Sequence, residues 1–194
     1  MAAKKKTDSK ILDAALALFV ANGYGGTTTR AIATRAKVNE VTLFRRFGSK
    51  ERLFHAVLAR ETDVQAKTIG LSLEPSGDVA DDLAKFGKFI SKSMFAKAGI
   101  LKLVMLEAQR RPELWEQVSH APLGVVGMLE GYFEKARSRG LVRDIDPKIA
   151  AVAFFSFYFR SLVSRAFLGG DVFIEMDDEA IDGFAEIFAK GVER

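Results

Sequence analysis

Two short helical patterns joined by a tight turn, within residues 27 to 53, constrain the fold of this chain more than any other feature. A threonine among residues 27 to 29 can cap the first helix, which is expected to end near Lys37. Asn39 is a suitable N-cap for the second helix. Because each helix has apolar residues spaced along one face, the segment predicts a helix-turn-helix. The apolar residues are Ile32, Ala33 and Ala36 in the first helix, and Leu43 and Phe47 in the second.

The second helix is expected to present a different set of side chains on its outward face. With about 100° per residue, Val41 and Arg45 point away from the apolar side, and Thr42, Phe44 and Arg46 lie on the flanks. Arginine can bond guanine in the major groove, and threonine or valine can contact a thymine methyl. This face therefore favours DNA recognition. The alternative is a solvated cationic face on an ordinary bundle helix.

A third helical pattern begins at Ser49, an N-cap that is followed by free backbone N–H groups placed to hold a phosphate. The whole segment resembles the DNA-binding domain of TetR/AcrR-type repressors, and it follows the family pattern without a gap. The matching residues are Thr29, Ile32-Ala33, Ala36-Lys37-Val38-Asn39, Leu43-Phe44, Phe47, Lys50 and Leu53.

This resemblance implies roles for individual side chains. Thr29 and Lys50 are expected to contact phosphates, and Arg30 is expected to reach a base. Positions 40, 41, 42 and 45 correspond to the base-reading surface of the family. The residues predicted to bind DNA are Thr29, Arg30, Asn39, Glu40, Val41, Thr42, Phe44, Arg45, Arg46 and Lys50.

The segment departs from the family pattern at two positions. Lys37 replaces the usual turn glycine, and the left-handed conformation would cost it roughly 1–2 kcal/mol. Phe44 replaces a tyrosine whose hydroxyl often touches a phosphate, so Arg46 is expected to supply that contact. Glu40 repels phosphates, and two interpretations stay open for it. It either accepts a hydrogen bond from cytosine or orients an arginine, or it stabilises the dipole of its own helix.

The net positive charge is confined to the N-terminal end of the chain. Residues 1 to 60 hold 12 Lys and Arg against 4 Asp and Glu, a net of +8, and the remainder holds 17 against 21, a net of −4. A basic patch of this kind gives salt-dependent attraction to phosphate. The run Lys4, Lys5 and Lys6 is expected to be a disordered tail, with a minor-groove arm as the alternative.

The rest of the chain has helical period and contains no confident strand pattern. Its 194 residues are 48% hydrophobic, which is enough to bury a substantial core. We therefore expect an all-α protein of two domains. An N-terminal three-helix helix-turn-helix domain covers residues 1–55, and a larger helical ligand-binding and dimerisation domain covers residues 56–194.

Several classes of protein are not favoured by the sequence. It has no cysteine, and its two histidines, His55 and His120, do not have metal-binding spacing. Catalytic and dinucleotide-binding motifs are absent, so neither an enzyme nor a cofactor or metal is expected. The apolar run at 149 to 159 is about half of the ~20 residues needed to cross a bilayer. Without a signal-peptide pattern, the sequence predicts a cytoplasmic protein with no membrane partner.

Residues 149 to 167 carry more aromatic side chains than one core-facing stripe requires. A symmetric dimer built from two helices of each subunit would cover the excess. In TetR-like proteins the final two helices usually form that interface. The alternative is a large monomer core with this helix at its centre. The predicted interface residues are Phe155, Tyr158, Phe159, Leu162, Ile181, Phe184 and Phe188.

A small-molecule pocket in the larger domain is expected chiefly from the resemblance. Relatives hold an effector there and shift the spacing of their DNA-binding domains, whereas composition alone favours a filled core. The aromatic and methionine content favours an apolar or aromatic effector. The predicted lining residues are Phe86, Phe89, Ile90, Met94, Met105, Gln109, Trp115, Met128 and Phe133.

Together these features predict a sequence-specific transcriptional regulator. It would bind a partly palindromic DNA operator as a homodimer, repress transcription, and be released by an unknown small-molecule effector. The alternative is a helical ligand-binding or protein-interaction module that has lost DNA binding. The intact residues of the DNA-binding surface argue against that alternative, and they are Arg30, Thr42, Arg45, Arg46 and Lys50.

Overall fold

The computed structural model describes residues 2–68 and 73–194, with side chains described for residues 5–61, 73–112, 114 and 122–194. Over these residues the chain forms α-helices and a single isolated antiparallel bridge, between Val142 and Glu193. The all-α prediction is confirmed. The helices are α1 (Ala2–Gly26), α2 (Thr29–Ala36), α3 (Glu40–Phe47), α4 (Lys50–Thr68), α5 (Val79–Phe95), α6 (Ala98–Ala108), α7 (Glu113–Ser138), α8 (Pro147–Leu168) and α9 (Asp178–Val192).

The chain folds into two compact units. Unit 1 consists of Met1–Val64 and Leu103–Val118, and unit 2 consists of Gln65–Lys102 and Ser119–Arg194. Unit 1 therefore joins the helix-turn-helix segment to residues that follow it much later in the sequence. The boundary expected between residues 55 and 56 lies inside α4, and that division of the chain into domains stays a prediction.

Helix α1 begins earlier than the sequence pattern indicated. It includes Lys4, Lys5 and Lys6, so the prediction of a disordered tail is wrong. Alanine and lysine are good helix formers, and they extend the amphipathic helix towards its N-terminus. Near its other end the helical geometry breaks at Gly23, where φ is 71° and ψ is 172°. Glycine reaches positive φ without steric cost, so the chain can turn there.

Unit 1 has an aromatic core formed by α1, including its end near Tyr24, and by α4. Phe19 of α1 and Phe54 of α4 are fully buried, with their ring centroids 5.2 Å apart in an edge-to-face arrangement. Tyr24 packs against Phe54 at 5.1 Å. Thr27 is also buried, and its hydroxyl donates to the carbonyls of Leu18 and Gly23 at 3.0 and 2.8 Å. These contacts fasten the end of α1 to the start of α2.

Unit 2 is built around helices that are apolar on more than one face. Phe154 and Tyr158 of α8 are fully buried, as are Leu83 of α5 and Tyr132 of α7. By length and composition alone, α8 is apolar enough to cross a membrane, and 44% of its most apolar window is buried inside the chain. This helix is longer than the apolar run seen in the sequence. Core helices pass the same test, and α8 contributes to the core of unit 2.

The connection between α8 and α9 is anchored by one carboxylate. Asp171 accepts hydrogen bonds from the Ser161 hydroxyl, from Arg165 Nε and Nη2 at 2.9 and 2.6 Å, and from the Met176 backbone N–H. Burial acts to raise the pKa of the Asp171 carboxyl, but these donors outweigh it and hold the pKa below its usual range. The anchored segment leaves Phe173 77% exposed.

Candidate nucleic-acid interface

Helix α2 and the turn after it have the geometry of the first half of a helix-turn-helix. Thr28 is the N-cap, and its side chain accepts a hydrogen bond from the Ala31 N–H at 3.1 Å. Lys37 ends the helix in the left-handed conformation, with φ 55° and ψ 46°. The next N–H, that of Val38, donates to the Ala33 carbonyl at 3.0 Å. The turn is therefore made in the family manner, although a lysine occupies the glycine position.

Helix α3 presents the outward face that its periodicity predicted. Asn39 is the N-cap and accepts from the Val41 N–H at 2.8 Å. Leu43 is fully buried, whereas Val41 is 72% exposed and Phe44 is 45% exposed. Arg45 is exposed as well. An exposed arginine beside exposed apolar groups on a short helix suits base edges and thymine methyl groups in the major groove.

The start of α4 lies beside α3 and holds a cluster of cations over one aromatic ring. The Ser49 hydroxyl oxygen accepts from the Arg52 N–H at 3.1 Å, which confirms the predicted cap. Lys50 Nζ lies 4.2 Å from the centre of the Tyr24 ring, and Arg111 Cζ lies 4.1 Å from it. Burial lowers the pKa of Lys50, and the positive charge of Arg111 lowers it further.

Sequence reasoning missed Arg111, which follows α6 and belongs to unit 1. Its guanidinium pairs with Tyr24 and also approaches the Glu51 carboxylate at 3.8 Å. No local motif marks this residue, because only the folded chain brings it to the start of α4. An arginine held beside Lys50 adds positive charge next to the position that the family uses for a phosphate.

Three of the predicted DNA contacts, Thr29, Glu40 and Arg46, already bind other side chains of the protein. Thr29 Oγ1 donates a hydrogen bond to Glu40 Oε1 at 2.6 Å, linking the start of α2 to the start of α3. Arg46 Nε lies 3.5 Å from Asp8 Oδ1 of α1, and the Arg46 side chain is 18% exposed. This ion pair joins α3 to α1, and phosphate binding by Arg46 stays a prediction.

The structure divides the predicted pocket residues between the two units. Four of them are buried in the core of unit 2, two are half-buried against that core, and two lie in unit 1. The side chain of Trp115 lies outside the described residues. The buried residues are Phe86, Ile90, Met94 and Phe133, the half-buried ones are Phe89 and Met128, and those in unit 1 are Met105 and Gln109.

The residues predicted to form the dimer interface pack in or against the core of their own subunit. Phe155, Tyr158, Leu162 and Ile181 are buried in the core of unit 2, and Phe159, Phe184 and Phe188 are half-buried against it. Phe184 stacks on Phe157 with 3.8 Å between the ring centroids. The apolar residues of α8 and α9 that are exposed are Ile149, Val152, Phe167, Leu168 and Ile187.

The fold and this interface together define a helix-turn-helix DNA-binding protein with a separate helical unit. Residues 11–57 match the family described as bacterial regulatory proteins, tetR family. Residues 81–190 match the C-terminal domain of AefR-like transcriptional repressors. This second match spans more than half of the chain.

Two bacterial regulators and one crystal structure are similar to this chain. The HTH-type transcriptional regulator YvkB of Bacillus subtilis (strain 168) is 27% identical over 188 residues, which are 97% of this chain and 98% of that protein. The HTH-type transcriptional repressor KstR of Rhodococcus jostii (strain RHA1) is 48% identical over 59 residues, covering 30% of this chain and 28% of that protein. A crystal structure of a TetR-family regulator from Mesorhizobium loti MAFF303099 is 22% identical, with a TM-score of 0.77 over 98% of both chains.

The chain belongs to the TetR family of bacterial transcriptional regulators. It is therefore a DNA-binding regulator of transcription.

Proposed function

We propose that this regulator represses transcription by binding, as a homodimer, a partly palindromic operator through Arg30 and α3. The observation that carries this proposal is the outward face of α3, where Val41, Phe44 and Arg45 are all exposed. The arginine can bond base edges in the major groove, and the apolar side chains can contact thymine methyl groups there. Occupying a promoter in this way would block transcription in the cytoplasm.

A dimer supplies the specificity that one helix lacks. Helix α3 contains 8 residues, so a single copy can reach only a few base pairs. Two copies related by two-fold symmetry can read half-sites about 34–36 Å apart. The exposed apolar side chains of α8 and α9, which include Ile149, Val152 and Ile187, support an interface on those two helices.

The proposed effector is a small apolar or aromatic compound that binds in the region of α5 and α7. Phe86, Phe89 and Met94 on α5 and Met128 and Phe133 on α7 support this proposal, since they give that region an aromatic and thioether character. Such a compound would release DNA only insofar as it binds more tightly to a conformation that misfits the operator.

The test is a selection of bound sequences from a random duplex library, carried out at two salt concentrations. Enrichment of an inverted repeat at both concentrations would support a specific dimeric regulator. Weak and steeply salt-dependent binding with no enriched sequence would contradict the proposal, because phosphate attraction alone behaves in that way. It would favour a helical module that has lost specific DNA binding.

A further inference from the structure

We infer that Glu40 is a specificity-determining residue. Its carboxylate binds the Thr29 hydroxyl, so that Thr29 is free to contact a phosphate only where a cytosine of the operator takes its place as the partner of Glu40. This inference rests on the proposed function and concerns the same interface. The observation behind it is the hydrogen bond that joins these two residues across the helix-turn-helix.

The hydroxyl of Thr29 already donates a hydrogen bond within the protein. Thr29 is the first residue of α2 and Glu40 is the first residue of α3. The distance from Thr29 Oγ1 to Glu40 Oε1 is 2.6 Å, which is short and typical of a hydroxyl that donates to an ionised carboxylate. A threonine hydroxyl has one proton to donate. Thr29 therefore cannot donate to a phosphate while it donates to Glu40.

The carboxylate also occupies the place where a phosphate would be attracted. The first turn of a helix carries partial positive charge and free N–H groups, and Glu40 is held beside the first turns of both α2 and α3. Within the described residues, no ion pair joins Glu40 to a lysine or an arginine. Its negative charge is therefore not neutralised by a neighbouring cation, and it opposes the approach of a phosphate.

Binding to DNA then forces an exchange of hydrogen bonds. When the Thr29 hydroxyl donates to a phosphate instead, Glu40 loses its hydrogen-bond partner. The N4 amino group of cytosine is a donor in that groove, and a carboxylate is its natural acceptor. A duplex with cytosine at the right position restores the lost hydrogen bond, whereas other sequences leave the carboxylate unsatisfied. Glu40 therefore lowers the affinity for non-specific DNA but not the affinity for the operator.

A purely structural role for Glu40 predicts a different result. If the bond to Thr29 serves only to hold α2 against α3, removing the charge of Glu40 loosens the interface and weakens binding to every duplex. If Glu40 acts as we infer, removing its charge strengthens binding to non-specific DNA. The direction of the change separates the two roles.

The experiment compares Glu40→Gln with Thr29→Val by fluorescence anisotropy over a salt series. The probes are a random-sequence duplex and the duplex enriched in the selection. We expect Glu40→Gln to bind the random duplex about five-fold more tightly, the effect of removing one like charge at about 4 Å in water. Its salt dependence should steepen by up to about one in log–log slope for each subunit. In a repeated selection, Glu40→Ala, which has no acceptor at this position, should lose the cytosine preference at one position of each half-site.

Thr29→Val is the matched control, since it removes the hydrogen bond between the two residues without changing the charge. It should weaken binding to the enriched duplex, where Thr29 contacts a phosphate, and leave binding to the random duplex about unchanged, because there Thr29 stays bonded to Glu40. The cytosine preference should remain, because Glu40 is intact. Thermal unfolding of both variants establishes that they are folded, and Glu40→Ala repeats the test if Glu40→Gln unfolds.

Unchanged or weaker binding of Glu40→Gln to the random duplex would overturn the inference, and so would a cytosine preference that survives in Glu40→Ala. Failure of the wild-type protein to bind either probe is a distinguishable result, because it would overturn the proposed DNA-binding function itself.

Discussion

At the scale of single residues, Arg45 and Lys50 are expected to contribute differently to DNA binding. Arg45 is exposed on the outward face of α3, whereas Lys50 is held over the Tyr24 ring at the start of α4. Arg45→Ala should relax the base preference at one position of each half-site, at a cost of about 1–3 kcal/mol on the preferred sequence. Lys50→Ala should weaken binding to all sequences about equally and lower the salt slope by about one.

Binding of both variants to a panel of single-base operator substitutions, over a salt series, separates these roles. An equal loss on every sequence for both variants would contradict the division between base reading and phosphate binding.

Lys37 is a second residue at which the structure permits a sharp prediction. It has positive φ, which costs a residue with a Cβ roughly 1–2 kcal/mol. Lys37→Gly removes that strain, although the added freedom of the unfolded chain offsets part of the gain. We expect a net increase of up to about 1 kcal/mol in the free energy of unfolding. Lys37→Ala keeps the Cβ and is the control, for which no gain is expected.

Thermal or urea unfolding of the two Lys37 variants measures the effect. A glycine variant that is no more stable than the alanine variant would show that the left-handed turn is not strained.

The local features of the interface were predictable from the sequence, and the tertiary ones were not. The caps Asn39 and Ser49 were predicted because a cap bonds N–H groups two or three residues away. By contrast, the contact of Arg111 with Tyr24 joins residues distant in the chain, and no periodicity encodes it. The bond between Thr29 and Glu40 likewise depends on how α2 and α3 pack.

At the scale of helices, the packing of α5 against α8 depends on Gly87. A Cβ added there would clash with Tyr158 Oη, and it would lie 2.8 Å from Tyr158 Cζ and 3.0 Å from Ile181 Cγ2. Overpacking of this kind typically costs about 1–3 kcal/mol. Gly87→Ala should lower the free energy of unfolding by about that amount, measured by urea denaturation.

The Tyr158→Phe background tests whether the clash is the cause. The Tyr158 hydroxyl is buried and has no hydrogen-bond partner among the described residues, so its removal alone should change stability little. Burial also raises the pKa of this hydroxyl. In the double variant the shortest contact is gone, and part of the lost stability should return. Strictly additive effects would contradict this explanation, since they would mean that the two side chains do not interact.

The buried and exposed faces of helix α8 could not be predicted from the sequence. Its aromatic side chains indicated more apolar surface than one core needs, but periodicity could not say which of them the subunit itself buries. Phe155 and Tyr158 are buried by α8's own subunit, and Phe184 stacks on Phe157. Several faces of this helix are apolar, so only the packing of α5 and α9 distinguishes the core side from the exposed side.

At the scale of the whole molecule, the proposed dimer places the exposed residues of α8 and α9 in the interface. Ile187 is 73% exposed, so a charged residue can replace it without disturbing the subunit core. Ile187→Glu should shift the protein from dimer to monomer, because two like charges would meet across a two-fold axis. Sedimentation velocity measures this shift, and operator affinity should fall with it.

Leu123 on α7 is 64% exposed and provides the matched control. Leu123→Glu should leave the oligomeric state unchanged. Dissociation by both substitutions, or by neither, would contradict an interface formed by α8 and α9.

If two copies of α3 read one operator at the same time, the spacing between the half-sites must control the affinity of the protein for DNA. The affinity of the enriched duplex is compared with that of a duplex carrying five additional base pairs between its half-sites, which is about half a helical turn. The insertion should reduce affinity to that of a single half-site, because the second half-site turns to the opposite side of the DNA. Unchanged affinity would contradict simultaneous reading by a dimer.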